Sequence, residues 1–168
     1  DFRKGWAVNP AAAAGSMEAK VPYIDNGTER ITPERFYAPE WMALEWERLW
    51  ARVWLIAGVV SDVPEPGDYF TFALGRESFL ITRTGAGDIK AFYNVCQHRG
   101  NRLVHNDLGS VPRFTCSFHS WQYALDGTCE KFTDEGTFRP EVLCHQPHLH
   151  QVRCETHAGL IFINMDDN

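Results

Sequence analysis

The sequence predicts a mainly β chain, an antiparallel β-sandwich or barrel with one N-terminal helix in front of it. Three observations carry that reading. Short apolar or alternating runs recur from residue 54 to the end, punctuated by Gly, Asp and Pro turn signals. Helical spacing of apolar residues is sustained once, between Pro39 and Val53. Two boxes of metal-ligand residue types, Cys96-Gln97-His98 and Cys116-Ser117-Phe118-His119, each fall where one run ends and another begins, which is where hairpin tips belong.

The helix comes first along the chain. Pro39 suits a first helical turn, because its missing N–H would have no partner there anyway. Glu40 complements the positive end of the helix dipole. Trp46, Trp50 and Trp54 recur at i, i+4 and i+8, with Leu49 and Val53 beside them, and such a stripe predicts a packing face against the core.

Strands follow. Trp54 to Val60 is an apolar run, and Asp68 to Leu74 places Phe70, Phe72 and Leu74 on one face. Ser78 to Thr82 leads into the turn Gly85-Ala86-Gly87-Asp88, and Ile89 to Val95 runs straight into the first ligand box. Arg113 to Thr115 enters the second box and Trp121 to Leu125 leaves it, before the hairpin signal Asp126-Gly127. Gln151 to Glu155 and Gly159 to Met165 close the domain as a final pair.

A length of 168 residues suits one domain with an extension. Residues 1–16 open without methionine and end in Ala11-Ala12-Ala13-Ala14-Gly15-Ser16 before Met17, which reads as a tag or linker remnant, with a native arm as the alternative. Residues 17–53 then form an arm and the tryptophan helix, and residues 54–168 the β domain. A net charge of −6 with interspersed signs argues against nucleic acid or an anionic membrane as partner. No apolar run approaches the roughly 20 residues of a membrane span. Of five cysteines, Cys129, Cys144 and Cys154 remain outside the ligand boxes and show no disulfide framework, so reduced thiols and a cytoplasmic setting are expected.

The boxes offer four soft or borderline donors, separated by the seventeen residues between His98 and Cys116. Tetrahedral zinc could use the same set in a zinc-stabilised binding module. Zinc-finger histidines, however, usually follow both cysteines instead of alternating with them. Four unrelated buried side chains are the blander alternative.

With their neighbours, Cys96-Gln97-His98-Arg99-Gly100 and Cys116-Ser117-Phe118-His119-Ser120-Trp121 resemble the cluster loops of Rieske [2Fe–2S] proteins, specifically the Rieske non-haem iron ring-hydroxylating oxygenases. Residues 30–168 resemble the N-terminal part of their α subunit. Pro66-Gly67-Asp68-Tyr69 is similar to the turn opening its first sheet, Asn94-Val95-Cys96-Gln97-His98-Arg99-Gly100 to its first cluster loop, and Gly159-Leu160-Ile161-Phe162-Ile163-Asn164 to its closing strand. The resemblance implies a Rieske-type fold with cluster-binding hairpin loops. It implies that Cys96 and Cys116 ligate one iron and His98 and His119 the other. Around them Trp121 and Tyr123 would shield the cluster, backbone N–H groups near Gly100 and Ser120 would point at its sulfurs, and Arg99 would pack against the loop or a partner.

Two imidazoles in place of two thiolates leave the oxidised cluster neutral instead of doubly negative, so it accepts an electron more readily than the about −400 mV of plant-type ferredoxins. Respiratory Rieske proteins add a disulfide between the loops and a serine donor to a sulfur. Those positions correspond here to Asn101, Phe118 and Trp121, so the low end of the window of about −150 to +300 mV is expected.

In the family, a larger C-terminal domain holds a mononuclear Fe(II) on two histidines and a carboxylate. His145, His148, His150 and His157 crowd one stretch, but Pro147 interrupts it and Glu141 lies one residue too far upstream, so surface or locally bonded histidines are expected. No catalytic residue is assigned here. The catalytic domain is expected to be cut away, omitted or carried by another chain. By resemblance the partners are a ferredoxin or flavin reductase, a catalytic oxygenase domain acting on an aromatic or similarly apolar substrate, and further copies in a trimer or α3β3 assembly in the bacterial cytoplasm. The rival reading is a free-standing Rieske-type ferredoxin, which would not be expected to carry the tryptophan helix. Arg99, Arg102 and Arg113 predict a basic tip for docking an acidic donor.

Overall fold

The computed structural model describes residues 9–20, 23, 27–133, 135–141 and 147–167. The chain divides into two units, Asp1–Trp41 and Met42–Asn168. In the first, helix α1 (Glu34–Tyr37) buries no residue, and the Arg35 guanidinium lies 5.0 Å from the centre of the Trp41 ring.

Helix α2 covers Pro39–Glu45, not the whole stretch to Val53, and passes into a π-helical turn over Trp46–Trp50. There the Ala51 N–H reaches back to the Trp46 carbonyl at 3.2 Å, which widens the turn and breaks the i, i+4 register of the tryptophans. The expected core stripe is therefore corrected. Neither segment contains a buried residue, and Trp54 remains 37% exposed. The tryptophans act as local covers instead. A Cβ on Gly75 would come within 2.6 Å of the Trp46 ring, and the Arg153 guanidinium sits 5.0 Å from the centre of Trp54.

Among the described residues ten strands build the second unit's two sheets. They are β1 (Leu55–Val59), β2 (Asp68–Leu74), β3 (Glu77–Arg83), β4 (Ile89–Tyr93), β5 (Leu108–Ser110), β6 (Phe114–Thr115), β7 (Gln122–Tyr123), β8 (Cys129–Lys131), β9 (Gln151–His157) and β10 (Leu160–Asn164). The large antiparallel sheet runs β1-β10-β9-β4-β3-β2-β5, and the small one β6-β7-β8. Although β1 and β2 are far apart in that order, the Gly58 position on β1 lies against Phe70 on β2, where a Cβ would approach the ring to 2.6 Å. The large sheet therefore curls back on itself.

Both faces of the large sheet are covered at its middle, and β3 shows the consequence. Phe79 and Ile81 point into one core with Phe70, Ala91, Val152, Ile161 and Ile163, while Leu80 points into the other with Tyr69 and Phe92. Alternation by two thus yields four consecutive buried residues, Phe79 to Thr82, because there is no solvent face. Phe72 and Leu74 pack beside Phe70 on the first core, as the β2 stripe predicted. The second core joins the large sheet to the small one through Cys96, Cys116, Trp121, Tyr123 and Cys129.

Candidate metal centre

The two ligand boxes occupy two copies of one turn. In the first, closed by the bridge Val95↔Arg102, the Cys96 N–H donates to the Asn101 carbonyl at 2.8 Å and the Gly100 N–H to the Cys96 carbonyl at 3.0 Å. In the second, at the tip of the β6–β7 hairpin, the Cys116 N–H donates to the Trp121 carbonyl at 2.8 Å and the Ser120 N–H to the Cys116 carbonyl at 2.9 Å. Each turn closes through a left-handed residue, Gly100 at φ 71° and Ser120 at φ 59°. The repeat places Cys96 and Cys116 at equivalent positions. The histidines differ, since His98 stands two residues after its cysteine and His119 three.

Buried polar groups hold the first loop at its base. The Asn94 side chain donates to the Val104 carbonyl at 2.8 Å and to Ser78 Oγ at 3.2 Å, and accepts the Val104 N–H at 2.8 Å. Sequence reasoning assigned Asn94 no structural role; its signal was a polar residue ending an apolar strand just before a ligand. Tyr123, buried on β7, has its hydroxyl oxygen 3.1 Å from the donating Gln97 N–H and 3.2 Å from Cys96 Sγ. Because the oxygen accepts from Gln97, its own hydrogen is available to the sulfur. Burial, then the bond to Cys96, pushes the Tyr123 phenol far up, which keeps it a donor.

Asn101 lies in the first loop and reaches the second, with Nδ2 at 3.6 Å from Cys116 Sγ. Asn101 cannot form the disulfide that respiratory Rieske proteins place there, and this hydrogen bond is the link between the loops at that position instead. Gly100 and Ser120 spend their N–H groups on carbonyls, and the amides of His98, Phe118 and His119 serve the thiols.

The two imidazoles meet each other. His98 and His119 have ring centres 4.5 Å apart at 72°, and His98 stacks on buried Trp121 at 4.6 Å and 11°. Trp121 is in turn held edge-on by Phe132 at 4.7 Å, and Thr133 Oγ1 donates to the His119 carbonyl at 2.5 Å. An open cleft of about 430 Å³ is lined by His98, Arg99, His119, Ser120, Trp121 and Phe138.

Electrostatics suit ligation. Burial, with His119 and Arg99 adding to it, lowers His98 and so favours the neutral imidazole that binds metals. Burial pushes the Cys96 thiol up. Burial acts on Cys116 too, but the Phe118 and His119 amides, with Cys96 and Asn101, outweigh it and hold Cys116 below the ordinary thiol range.

Nδ1 of His98 is buried and has no hydrogen-bond partner among the described residues. A buried imidazole nitrogen left that way carries a desolvation cost of about 1–3 kcal/mol that a metal ligand bond would remove. Among the described residues no three His, Cys, Asp or Glu side chains gather about one point as a mononuclear centre requires. Two thiols and two imidazoles in separate pairs fit a two-iron group.

Residues 53–140 match the family described as Rieske [2Fe-2S] domain. The chain belongs to the Rieske [2Fe-2S] domain family. The cluster of the family is the Rieske-type [2Fe–2S] group, and the fold is the Rieske fold. The chain is 35% identical over 145 residues to the benzene 1,2-dioxygenase α subunit of Pseudomonas putida, covering 86% of this chain and 32% of that one. It is 32% identical over 142 residues to the anthranilate 1,2-dioxygenase large subunit of Acinetobacter baylyi, covering 84% and 30%. Among solved structures, the quaternary ammonium Rieske monooxygenase CntA superposes with a TM-score of 0.75 at 29% identity, covering 80% of this chain and 38% of that one. Naphthalene 1,2-dioxygenase does so with a TM-score of 0.69 at 32%, covering 77% and 29%. The chain spans about a third of the length of the curated relatives it matches. Its relatives are Rieske oxygenase subunits, and the Rieske part is what this chain shares with them.

Arg99 and Arg102 are exposed, but Arg113 is paired with Glu130 at 3.2 Å and adds little to a basic tip. His148 and His157 are exposed, and the His150 ring packs 5.5 Å from Tyr93. His145 and Cys144 lie outside the described residues. Cys129 and Cys154 are free thiols. No helix among the described residues is long and apolar enough to cross a membrane.

Proposed function

We propose that Cys96 and Cys116 hold one iron of the cluster and His98 and His119 the other, within a Rieske domain spanning residues 54–168. The buried Nδ1 of His98, without a hydrogen-bond partner among the described residues and with the His119 ring beside it, carries this reading. The domain is the electron-transfer part of an aromatic-ring-hydroxylating oxygenase of the bacterial cytoplasm. Similarity to the α subunit of benzene 1,2-dioxygenase and the large subunit of anthranilate 1,2-dioxygenase supports an aromatic substrate. In the whole protein, electrons come singly from a ferredoxin or flavin reductase and go to a mononuclear non-haem iron in a catalytic domain, within a trimer or α3β3 assembly.

Bound, the cluster takes up and gives back one electron. The chain's residues set the conditions for that exchange. Trp121 and Phe132 keep His98 in one orientation and exclude water from its inner side. Tyr123 and the His98, Phe118 and His119 amides present hydrogens to the cysteine sulfurs, which offsets charge in the reduced state. His98 and His119 line the open cleft, which is the face they would offer to a partner.

The test is the metal content and redox behaviour of the purified chain. Two irons and two acid-labile sulfides per chain are expected, with a potential above plant-type ferredoxins. His119→Cys should abolish assembly or make the potential more negative, because an anionic ligand replaces a neutral one. An intact cluster at an unchanged potential would remove His119 from the ligand set. Zinc without sulfide would sink the whole reading. In the whole protein, oxygen uptake should depend on an aromatic substrate; a chain that only shuttles electrons would be the free-standing carrier.

A further inference from the structure

We infer that Asn101 is a positioning and tuning residue for the cluster, bridging the two loops and favouring the reduced state through Cys116. The inference rests on the ligand reading above. Three bonds of one residue carry it. The Asn101 carbonyl accepts the Cys96 N–H at 2.8 Å, which ties its backbone to the first cysteine. Its side-chain amide donates to the Arg102 carbonyl at 2.9 Å, which fixes the rotamer. The same nitrogen lies 3.6 Å from Cys116 Sγ, within reach for a second donated hydrogen to sulfur.

An amide has two N–H donors, and here one is held by the local carbonyl while the other points across the gap between loops. No other side-chain hydrogen bond to Cys116 is present among the described residues outside the ligand cysteines themselves. Cys96 is served from the opposite side by Tyr123. The two sulfurs therefore each have one side-chain donor, supplied by different loops and sheets.

The direction of the effect follows from charge. Reduction adds one negative charge, part of which resides on the sulfurs, and a hydrogen bond to an anionic acceptor is roughly twice as strong as one to a neutral acceptor. The Asn101 amide consequently binds the reduced state more tightly and raises the potential. It also holds Cys116 against Cys96 at a spacing that the separate hairpins do not impose.

The experiment is a redox titration of the cluster-loaded chain, followed by electron paramagnetic resonance, with Asn101→Leu and Asn101→Asp. Leucine keeps the approximate size and removes both donors. Aspartate keeps the shape and substitutes an acceptor-only anion. At the ambient potential that half-reduces the native chain, Asn101→Leu should lower the reduced-to-oxidised ratio about three- to tenfold, tenfold being 59 mV for a one-electron couple. Asn101→Asp should lower it at least as far. A ratio unchanged in either loaded variant overturns the proposal, since a brace without a sulfur contact would affect loading and stability and leave the potential alone.

If neither variant assembles, pulsed resonance of the reduced native chain containing 15N-labelled asparagine decides. A nitrogen coupling from Asn101, the asparagine bonded to a ligand sulfur, supports the proposal, and its absence overturns it. Cys116→Ser separates the two possible failures. An unaltered signal there removes Cys116 from the ligand set and this inference with it. An altered or lost signal there, with unshifted Asn101 variants, overturns the tuning role alone.

Discussion

Gly100 and Ser120 occupy the same place in two copies of one turn. Each donates its N–H to the carbonyl of the cysteine four residues earlier, and each takes a left-handed backbone, yet only Ser120 carries a Cβ. The left-handed region costs a non-glycine residue about 1–2 kcal/mol. Gly100 faces open space where a Cβ would stand, so Gly100→Ala meets no clash and should destabilise by strain alone, about 1 kcal/mol. Ser120→Gly should stabilise by less than about 1 kcal/mol, because relief of strain is partly offset by glycine's larger entropy loss on folding. Denaturant midpoints of the loaded chain measure both, and opposite signs are the expected pattern.

Tyr123→Phe should lower both stability and potential. The Gln97 N–H loses its acceptor, which costs about 1–3 kcal/mol if the amide stays buried, and Cys96 loses its hydroxyl donor. A loaded variant that keeps its potential would show that the phenol serves the Gln97 amide alone.

Arg102 is the exposed cation of the first loop, its Nε donating to the Val104 carbonyl, whereas Arg113 is occupied by Glu130. Arg102→Glu should slow reduction by an acidic ferredoxin several-fold while leaving reduction by dithionite unchanged. Rising salt should erase the difference, because exposed charges are screened over about 8 Å at physiological ionic strength and over less above it. Stopped-flow bleaching of the cluster measures both reductants. Equal slowing would indicate a disturbed loop.

Cys154 on β9 gives a pH prediction away from the cluster. Burial, then Glu155, pushes its thiol up to about 11. The unfolded thiol ionises near its ordinary value of about 8.5, and the folded one does not, so its contribution is fully present below that pH and is lost as pH rises toward 11. Cys154→Ser should therefore flatten the alkaline fall in stability over that interval. Alkylation of Cys154 in the folded chain should lag far behind a free thiol at pH about 8.5. Equal alkylation rates would show that the strand opens locally.

Local chemistry determined much of this domain directly from the chain. The ligand boxes, the β2 limits from Asp68 to Leu74 and the Asp126-Gly127 turn all depend on neighbours a few residues apart, so their signals survive without knowledge of the fold. Strands β5 and β8 were missed because they are three residues long, and β5 has only Leu108 to mark it, 73% exposed on an edge. The tryptophan stripe misled because a single-residue widening of the helix changes its register, and helical periodicity does not contain that event. What the tertiary structure alone decided is how the two loops serve each other. Asn101 meets Cys116, and Tyr123 meets Cys96, across separations of 15 and 27 residues. Those contacts exist because the curled sheet and the small sheet share one core. A hydrogen bond at 3 to 4 Å between distant residues is a property of that packing, and no periodicity in the chain encodes it.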